Sequence, residues 1–388
     1  MKPLRLMFVC GEPSGDLLGA QLMAALRKET GGKVEFSGVG GEAMATEGFK
    51  SLFPLDATSV MGIFEIVPRL ATIFKRIRQA VDFAAATRPD AVVLIDSPEF
   101  TQRIGKRIRT AAPGVRIITY VAPQVWAMRS SRARKMAKYL DLMLALLPFE
   151  PPFFSGCGLR TSFVGHPAVE RAGRMKGGDE FRRRRGIAPD APLLAVLPGS
   201  RRGEVARLLP VFREAAARLA DRVPGLATVV PLVPQVADAV RAGCRDWPVP
   251  IHFTEDEAEK FAAFDAADAA LAASGTVTTE LALAHTPTVV AYKVNPLTAA
   301  VVRRFIRVKY ATLTNLILDR EVMPEFIQER CKPENLAVAA AKLLTDRSAA
   351  EAQAALQTQA MCALGLGGGA PSLRAARAIL SFLQEGAD

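Results

Sequence analysis

Apolar residues along this chain fall in short runs that alternate with stretches of helical spacing. Leu4–Cys10 has the length of one buried strand. A Gly-rich turn follows, then a helical pattern from about Leu17 to Lys28. The alternation continues with a strand at Val34–Val39, a helix from Ile73 to Ala86, and strands at Ala91–Ile95, Arg116 to Val121 and Leu142 to Leu147. The strand runs are apolar at every position rather than at every second one. That pattern belongs to parallel strands covered on both faces.

Pro148, Pro151, Pro152, Gly156 and Gly158 then break the rhythm, followed by Val164-Gly165-His166-Pro167 and the basic Phe181-Arg182-Arg183-Arg184-Arg185. Beyond this seam strands recur at Leu193–Leu197, Ala227 to Leu232, Pro250 to Phe253, Ala269 to Ala272 and Thr288–Tyr292. The expected fold is α/β, with two doubly wound Rossmann-like domains, 1–165 and 166–364, facing a cleft. Lys332 to Gln359 reads as one alanine-rich helical stretch. Glycines at 365, 367, 368 and 369 precede a last amphipathic helix, with Ser372 as its expected cap. Segment 365–388 is expected to cross to the N-terminal domain or to a partner subunit.

Composition narrows the classes. No apolar run in the 388 residues approaches the roughly 20 needed to span a bilayer. The first strand is broken too soon by Gly11 and Pro13 to be a signal peptide, so a cytoplasmic protein is expected. Five scattered cysteines and three distant histidines show no metal spacing. A net charge of +11 points to an anionic partner. Nucleic acid fits poorly, because the basic residues are not interleaved with aromatics, which make up 7% of the chain.

Candidate chemistry sits where strands end. After Leu193–Leu197 come Pro198-Gly199-Ser200-Arg201, then a helical pattern. A small-residue loop opening a helix gathers backbone N–H groups and the positive dipole end, and an arginine adds a fork of donors. This is the expected diphosphate end of a nucleotide site. Ser274-Gly275-Thr276, after another strand, repeats the plan, with Glu280 placed to reach a ribose diol. In the first half, Gly11-Glu12-Pro13-Ser14-Gly15-Asp16 carries two acids. It suits a sugar-hydroxyl or acceptor contact better than a phosphate, and that reading is favoured over Ser14 or Asp16 as a helix cap, though both can hold together. Ala91–Ile95 runs directly into Asp96, a candidate base for a hydroxyl proton. Trp126 and Gln328 are further candidate contacts. Two apolar-basic segments suggest a lipid surface: Met61, Ile63, Phe64 and Arg69 running into Lys75 and Arg76, and Arg303, Arg304, Phe305 and Arg307. A core-facing helix with solvated charges explains either segment taken alone.

Several motifs occur together and in order: Gly11-Glu12-Pro13-Ser14-Gly15-Asp16, Ser59-Val60-Met61-Gly62, Ile95-Asp96-Ser97-Pro98-Glu99-Phe100, Val164-Gly165-His166-Pro167, Leu197-Pro198-Gly199-Ser200-Arg201, Ser274-Gly275-Thr276 with Glu280, Asn315, and Pro324-Glu325-Phe326. In this combination the chain resembles the lipid-A-disaccharide synthase family over nearly its whole length. The resemblance implies the glycosyltransferase B fold and an inverting transfer of 2,3-diacylglucosamine from its UDP derivative to 2,3-diacylglucosamine 1-phosphate. The products would be a β(1→6) disaccharide 1-phosphate and UDP. It implies no metal and no cofactor and a peripheral place on the cytoplasmic face of the inner membrane, in a family whose members can form homodimers through exchanged C-terminal regions. Asp96 matches the proposed general base, Arg201 a diphosphate contact, and Glu280 and Asn315 positions of the UDP site. Met128, Thr279 and Thr314 stand where the family often has Trp, Leu and Pro. Two other readings fit the residues: a UDP-N-acetylglucosamine transferase or epimerase of the same fold, and a non-catalytic lipid-surface protein.

Overall fold

The computed structural model describes residues 2–55, 70–123, 130–295 and 309–385. The chain divides into two compact units, 1–167 with 367–388, and 168–366.

In the first unit the order is β1 (Leu4–Cys10), α1 (Pro13–Glu29), β2 (Val34–Val39), α2 (Glu42–Thr46), α3 (Leu70–Thr87), β3 (Ala91–Ile95), α4 (Pro98–Ala111), β4 (Arg116–Tyr120), α5 (Ser130–Met136), β5 (Leu142–Ala145), α6 (Glu150–Ser155) and β6 (Thr161–Phe163). The six strands form one parallel sheet in the order β2-β1-β3-β4-β5-β6. β3 is buried at all five positions, as its unbroken apolar run requires.

The second unit opens on a 3₁₀ stretch, Pro167–Arg174, whose first residue still belongs to the first unit. Then follow α7 (Gly178–Arg185), β7 (Leu193–Leu197), α8 (Arg202–Ala220), β8 (Ala227–Pro231), α9 (Ala237–Gly243), β9 (Ile251–Thr254), α10 (Glu257–Ala266), β10 (Ala269–Ala273), α11 (Thr276–Leu283), β11 (Thr288–Tyr292), α12 (Leu313–Leu318), β12 (Glu325–Ile327), α13 (Pro333–Thr345) and α14 (Arg347–Ala363). Its sheet is also parallel, in the order β12-β11-β10-β7-β8-β9. Buried Leu208, Leu209, Phe212 and Leu219 of α8 pack on Leu194 and Val196 of β7 and on Leu336 and Ala340 of α13. The arginine run of α7 is largely paired: Arg182 with Asp268, Arg183 with Glu180, and Arg184 and Arg185 with Glu259.

The last helix, α15 (Pro371–Gln384), belongs to the first unit. Arg377 forks onto Glu29, Arg160 pairs with Glu385, and Arg116 donates to the carbonyls of Phe382 and Leu383.

The sequence pattern does not mark β6 and β12, which at three residues each are too short for periodicity to show. Three expectations need correction. The helical stretch from Lys332 is two helices, because Asp346 leaves the helical conformation and caps the second through Ala349 N–H. Ser372 is not a cap: α15 starts at Pro371 with Ala370 in the N-cap position. Neither Ser14 nor Asp16 caps α1, which already begins at Pro13. Of the described residues, none lies in a helix long and apolar enough to cross a membrane.

Candidate active site

Each sheet reverses its winding at one place, between β1 and β3 in the first unit and between β7 and β10 in the second. Ligands of doubly wound sheets sit beyond the carboxyl ends of the strands at such points. Cys10 lies opposite Ile95, and Leu197 opposite Ala272, so each pair of strands ends at one level. The loops singled out in the sequence leave from these four ends.

In the first unit the two loops interlock. A Cβ at Gly11 would stand 2.7 Å from Ser97 Cβ, and one at Gly15 3.1 Å from the Ile95 carbonyl oxygen. Both glycines let the α1 turn lie against the end of β3. Ser14 Oγ then donates to Asp96 Oδ2 at 2.9 Å. Asp96 and Ser97 both have positive φ, 53° and 44°. Adjacent left-handed non-glycine residues store strain and recur at functional sites. Asp96 N–H donates to the Tyr120 carbonyl, and the Asp96 carbonyl accepts from Thr101 Oγ1 at 2.7 Å, which hold the bend. The Asp96 side chain is half-buried. Beneath it, burial pushes the Cys10 thiol up to about 12, with the charge of Asp16 and then that of Asp96 adding, so Cys10 stays protonated.

Asp16 does other work than the expected sugar contact. It is 4% exposed and accepts from the N–H groups of Gly41 (2.7 Å), Ala43 (2.8 Å) and Met44 (3.1 Å). These are orphan donors at the start of α2, so Asp16 caps a helix other than its own. Glu12 occupies the N-cap position of α1 without a side-chain cap bond.

In the second unit Gly199 turns the chain with φ +114°. Glu204 folds back over the loop. Its Oε2 accepts from Ser200 N–H (3.1 Å) and Arg201 N–H (3.3 Å), and its Oε1 pairs with the Arg201 guanidinium (3.1 Å). Those two N–H groups were expected to meet phosphate; they are committed internally. The Arg201 side chain remains 70% exposed. Across the reversal point Ser274 Oγ donates to the Ala311 carbonyl (3.0 Å), while Gly275 and Thr276 stand exposed at the start of α11.

Glu280 is 8% exposed and already holds two cations, Arg171 at 2.8 Å and Lys260 at 2.9 Å. Neither partner carried a signal in the sequence, being 109 and 20 positions away. Asn315, expected in the UDP site, is fully buried with its whole amide engaged. Nδ2 donates to the Met323 carbonyl and Glu325 Oε1, both at 2.8 Å, and Oδ1 accepts from Val322 and Met323 N–H. Glu325 also accepts from Ala311 N–H, Thr312 N–H and Thr312 Oγ1. Asn315 and Glu325 thus tie α12 to the turn into β12, and Asn315 has no hydrogen-bonding atom left for a nucleotide. Thr314 lies in the first turn of α12, where proline is equally tolerated. Gln328 has φ +53°, and its Oε1 accepts from Val294 N–H at 3.3 Å.

Of the lipid-surface candidates, Lys75 is exposed on α3, whereas Arg76 turns back over the Phe53 ring, 4.8 Å from its centroid. Met61, Ile63, Phe64, Arg69, Trp126, Arg303, Arg304, Phe305 and Arg307 lie outside the described residues, as does Met128. A cavity of about 850 Å³, lined by Leu4, Arg88, Asp90, Arg116 and Leu383, opens at the amino ends of the first sheet's strands. It is at the wrong edge of that sheet for Asp96 to reach.

The fold and these paired loops define a class: a glycosyltransferase B-type protein of two Rossmann-like domains. CalG4, the calicheamicin glycosyltransferase, shares this fold at a TM-score of 0.60, 16% identity and full coverage of both chains. The UDP-GlcNAc 2-epimerase of Neisseria meningitidis, solved with UDP-GlcNAc, shares it at 0.60 and 12% identity, over 99% of this chain and 100% of that one. At such identities the likeness is one of fold alone. The model of the lipid-A-disaccharide synthetase family matches residues 6–367. Lipid-A-disaccharide synthase of Rhodospirillum centenum is 51% identical over 383 residues, covering 99% of this chain and 96% of the relative. The chain belongs to the lipid-A-disaccharide synthase family and is a glycosyltransferase by that membership.

Proposed function

We propose that the protein transfers 2,3-diacylglucosamine from its UDP derivative to the 6-hydroxyl of 2,3-diacylglucosamine 1-phosphate, with inversion at the anomeric carbon. The observation that carries this reading is the division of chemistry between the two reversal points: a braced carboxylate, Asp96, at one, and an exposed guanidinium, Arg201, at the other. The bond from the anomeric carbon to the β-phosphate oxygen breaks, and UDP leaves with its electron pair. Charge grows on that phosphate, where Arg201 and the α11 start at Gly275 and Thr276 favour it. The 6-hydroxyl oxygen forms the new bond and its proton passes to Asp96. Ser14 holds one carboxylate oxygen and so fixes the direction of the other. Glu280, steadied by two cations, keeps lone pairs for a ribose diol.

Both substrates carry acyl chains, so the protein works at a bilayer surface as a peripheral protein. Exposed Phe74 and Lys75 of α3, with Lys106 and Arg107 of α4, supply an apolar-basic face, the Arg107 guanidinium lying 5.9 Å from the Phe74 ring centroid. Homodimerisation through the C-terminal region belongs to the same proposal.

The test is incubation of the protein with UDP-2,3-diacylglucosamine and the monosaccharide 1-phosphate. A disaccharide 1-phosphate of the summed mass, with UDP released, is expected. Asp96→Ala should lower turnover about 10²–10⁴-fold, the range for a lost general base, with UDP affinity kept. Arg201→Ala should weaken UDP binding. Near-normal turnover in the first variant, or unchanged UDP affinity in the second, removes that residue from the mechanism.

A further inference from the structure

We propose that Glu204 is a positioning residue for the donor's diphosphate, acting through Arg201; this rests on the donor-binding reading above. The helix start at Arg202 has glutamate at its third position, where a capping box would place one. An ordinary box needs a hydroxyl at the N-cap to accept in return. Arg201 stands there instead, and a guanidinium has only donors. The reciprocal half of the box is therefore replaced by an ion pair, Arg201 Nη1 to Glu204 Oε1 at 3.1 Å.

The two partners differ in exposure. Glu204 is nearly enclosed, its side chain 13% exposed, while Arg201 is 70% exposed. One carboxylate oxygen fixes the loop backbone through two N–H groups, and the other tethers one end of the guanidinium. The remaining donors of the fork face outward from a fixed base, which lowers the ordering cost of meeting a diphosphate. Gly199 is what admits this arrangement: a Cβ there would lie 2.6 Å from Glu204 Cβ and 2.7 Å from its Oε2. A carboxylate beside a diphosphate repels it, and against that repulsion stands the gain from an arginine already held in place. The proposal is that the gain wins.

Glu204→Gln separates the two halves. The amide oxygen still accepts from both loop N–H groups, but the charge that holds Arg201 is gone. UDP affinity is measured by calorimetry and the melting temperature by thermal unfolding, for Glu204→Gln, Arg201→Ala and the double variant. The expected result is UDP binding about tenfold weaker in Glu204→Gln, an unchanged melting temperature, and no further loss when the change is added to Arg201→Ala. Equal or tighter UDP binding in Glu204→Gln overturns the proposal, and so does a tenfold loss that persists without Arg201. Unchanged affinity in Arg201→Ala overturns the donor-site reading itself.

Discussion

Asp16 and Asp96 sit at two neighbouring strand ends of one sheet, and their surroundings assign them opposite tasks. Asp96 is half-buried on a strained bend with a single hydroxyl on one oxygen. Asp16 is enclosed and saturated by three N–H groups. Both carboxylates were visible in the sequence as candidates; only the neighbours 25 to 28 positions away from Asp16 identify it as a cap. Asp16→Asn replaces one acceptor oxygen by an NH₂ group facing donors. It should cost about 1–3 kcal/mol, the range for leaving buried donors unsatisfied. Urea unfolding should show a lower midpoint, while the folded fraction keeps its UDP affinity; an unchanged midpoint would count against the capping role. Asn315 follows the same logic. Its side chain makes four hydrogen bonds inside the protein.

At the scale of elements, α15 returns to the first unit after the glycines at 365–369 and is fastened there by charge. Glu29 and Glu385 are held below the ordinary glutamate value of 4.5, the first mainly by its hydrogen bond to Arg377 and the second mainly by that to Arg160. A carboxylate lowered by folding stabilises the fold above its ordinary value and loses that contribution as pH falls through the lowered one. Protection factors along 371–384, which correct for the intrinsic pH dependence of amide exchange, should therefore hold from pH 8 to 5 and fall below pH 4.5, and added salt should lower them wherever the carboxylates are ionised because both pairs are exposed. Protection in α15 that persists through pH 3 would show that apolar packing of Ala375, Ala376 and Ile379 alone holds it. The amphipathic spacing of this helix was plain in the sequence. Where its apolar face lies was not, because spacing says only that a face must be covered.

For the whole molecule the +11 charge is the property that survives all internal pairing. Many arginines are consumed inside units, as in α7, so total charge does not locate a binding surface. Lys75, Lys106 and Arg107 stand exposed, the Arg107 guanidinium 5.9 Å from the Phe74 ring centroid. Replacing all three by glutamate should release the protein from vesicles containing phosphatidylglycerol in a sedimentation assay. The unaltered protein should bind these vesicles less at high salt and should not bind pure phosphatidylcholine. Undiminished binding of the triple variant would move the lipid face elsewhere.

The order of apolar runs by itself determined two parallel α/β units, because a strand buried on both faces has to be apolar throughout and a covering helix has to be amphipathic. It also placed the candidate loops, since glycine, proline and hydroxyl residues mark where strands must end. Tertiary structure alone decided which of the polar groups in those loops keep a free valence. Hydrogen bonds to Asp16 and Asn315 come from backbone groups set in place by folding, and no spacing along the chain encodes them.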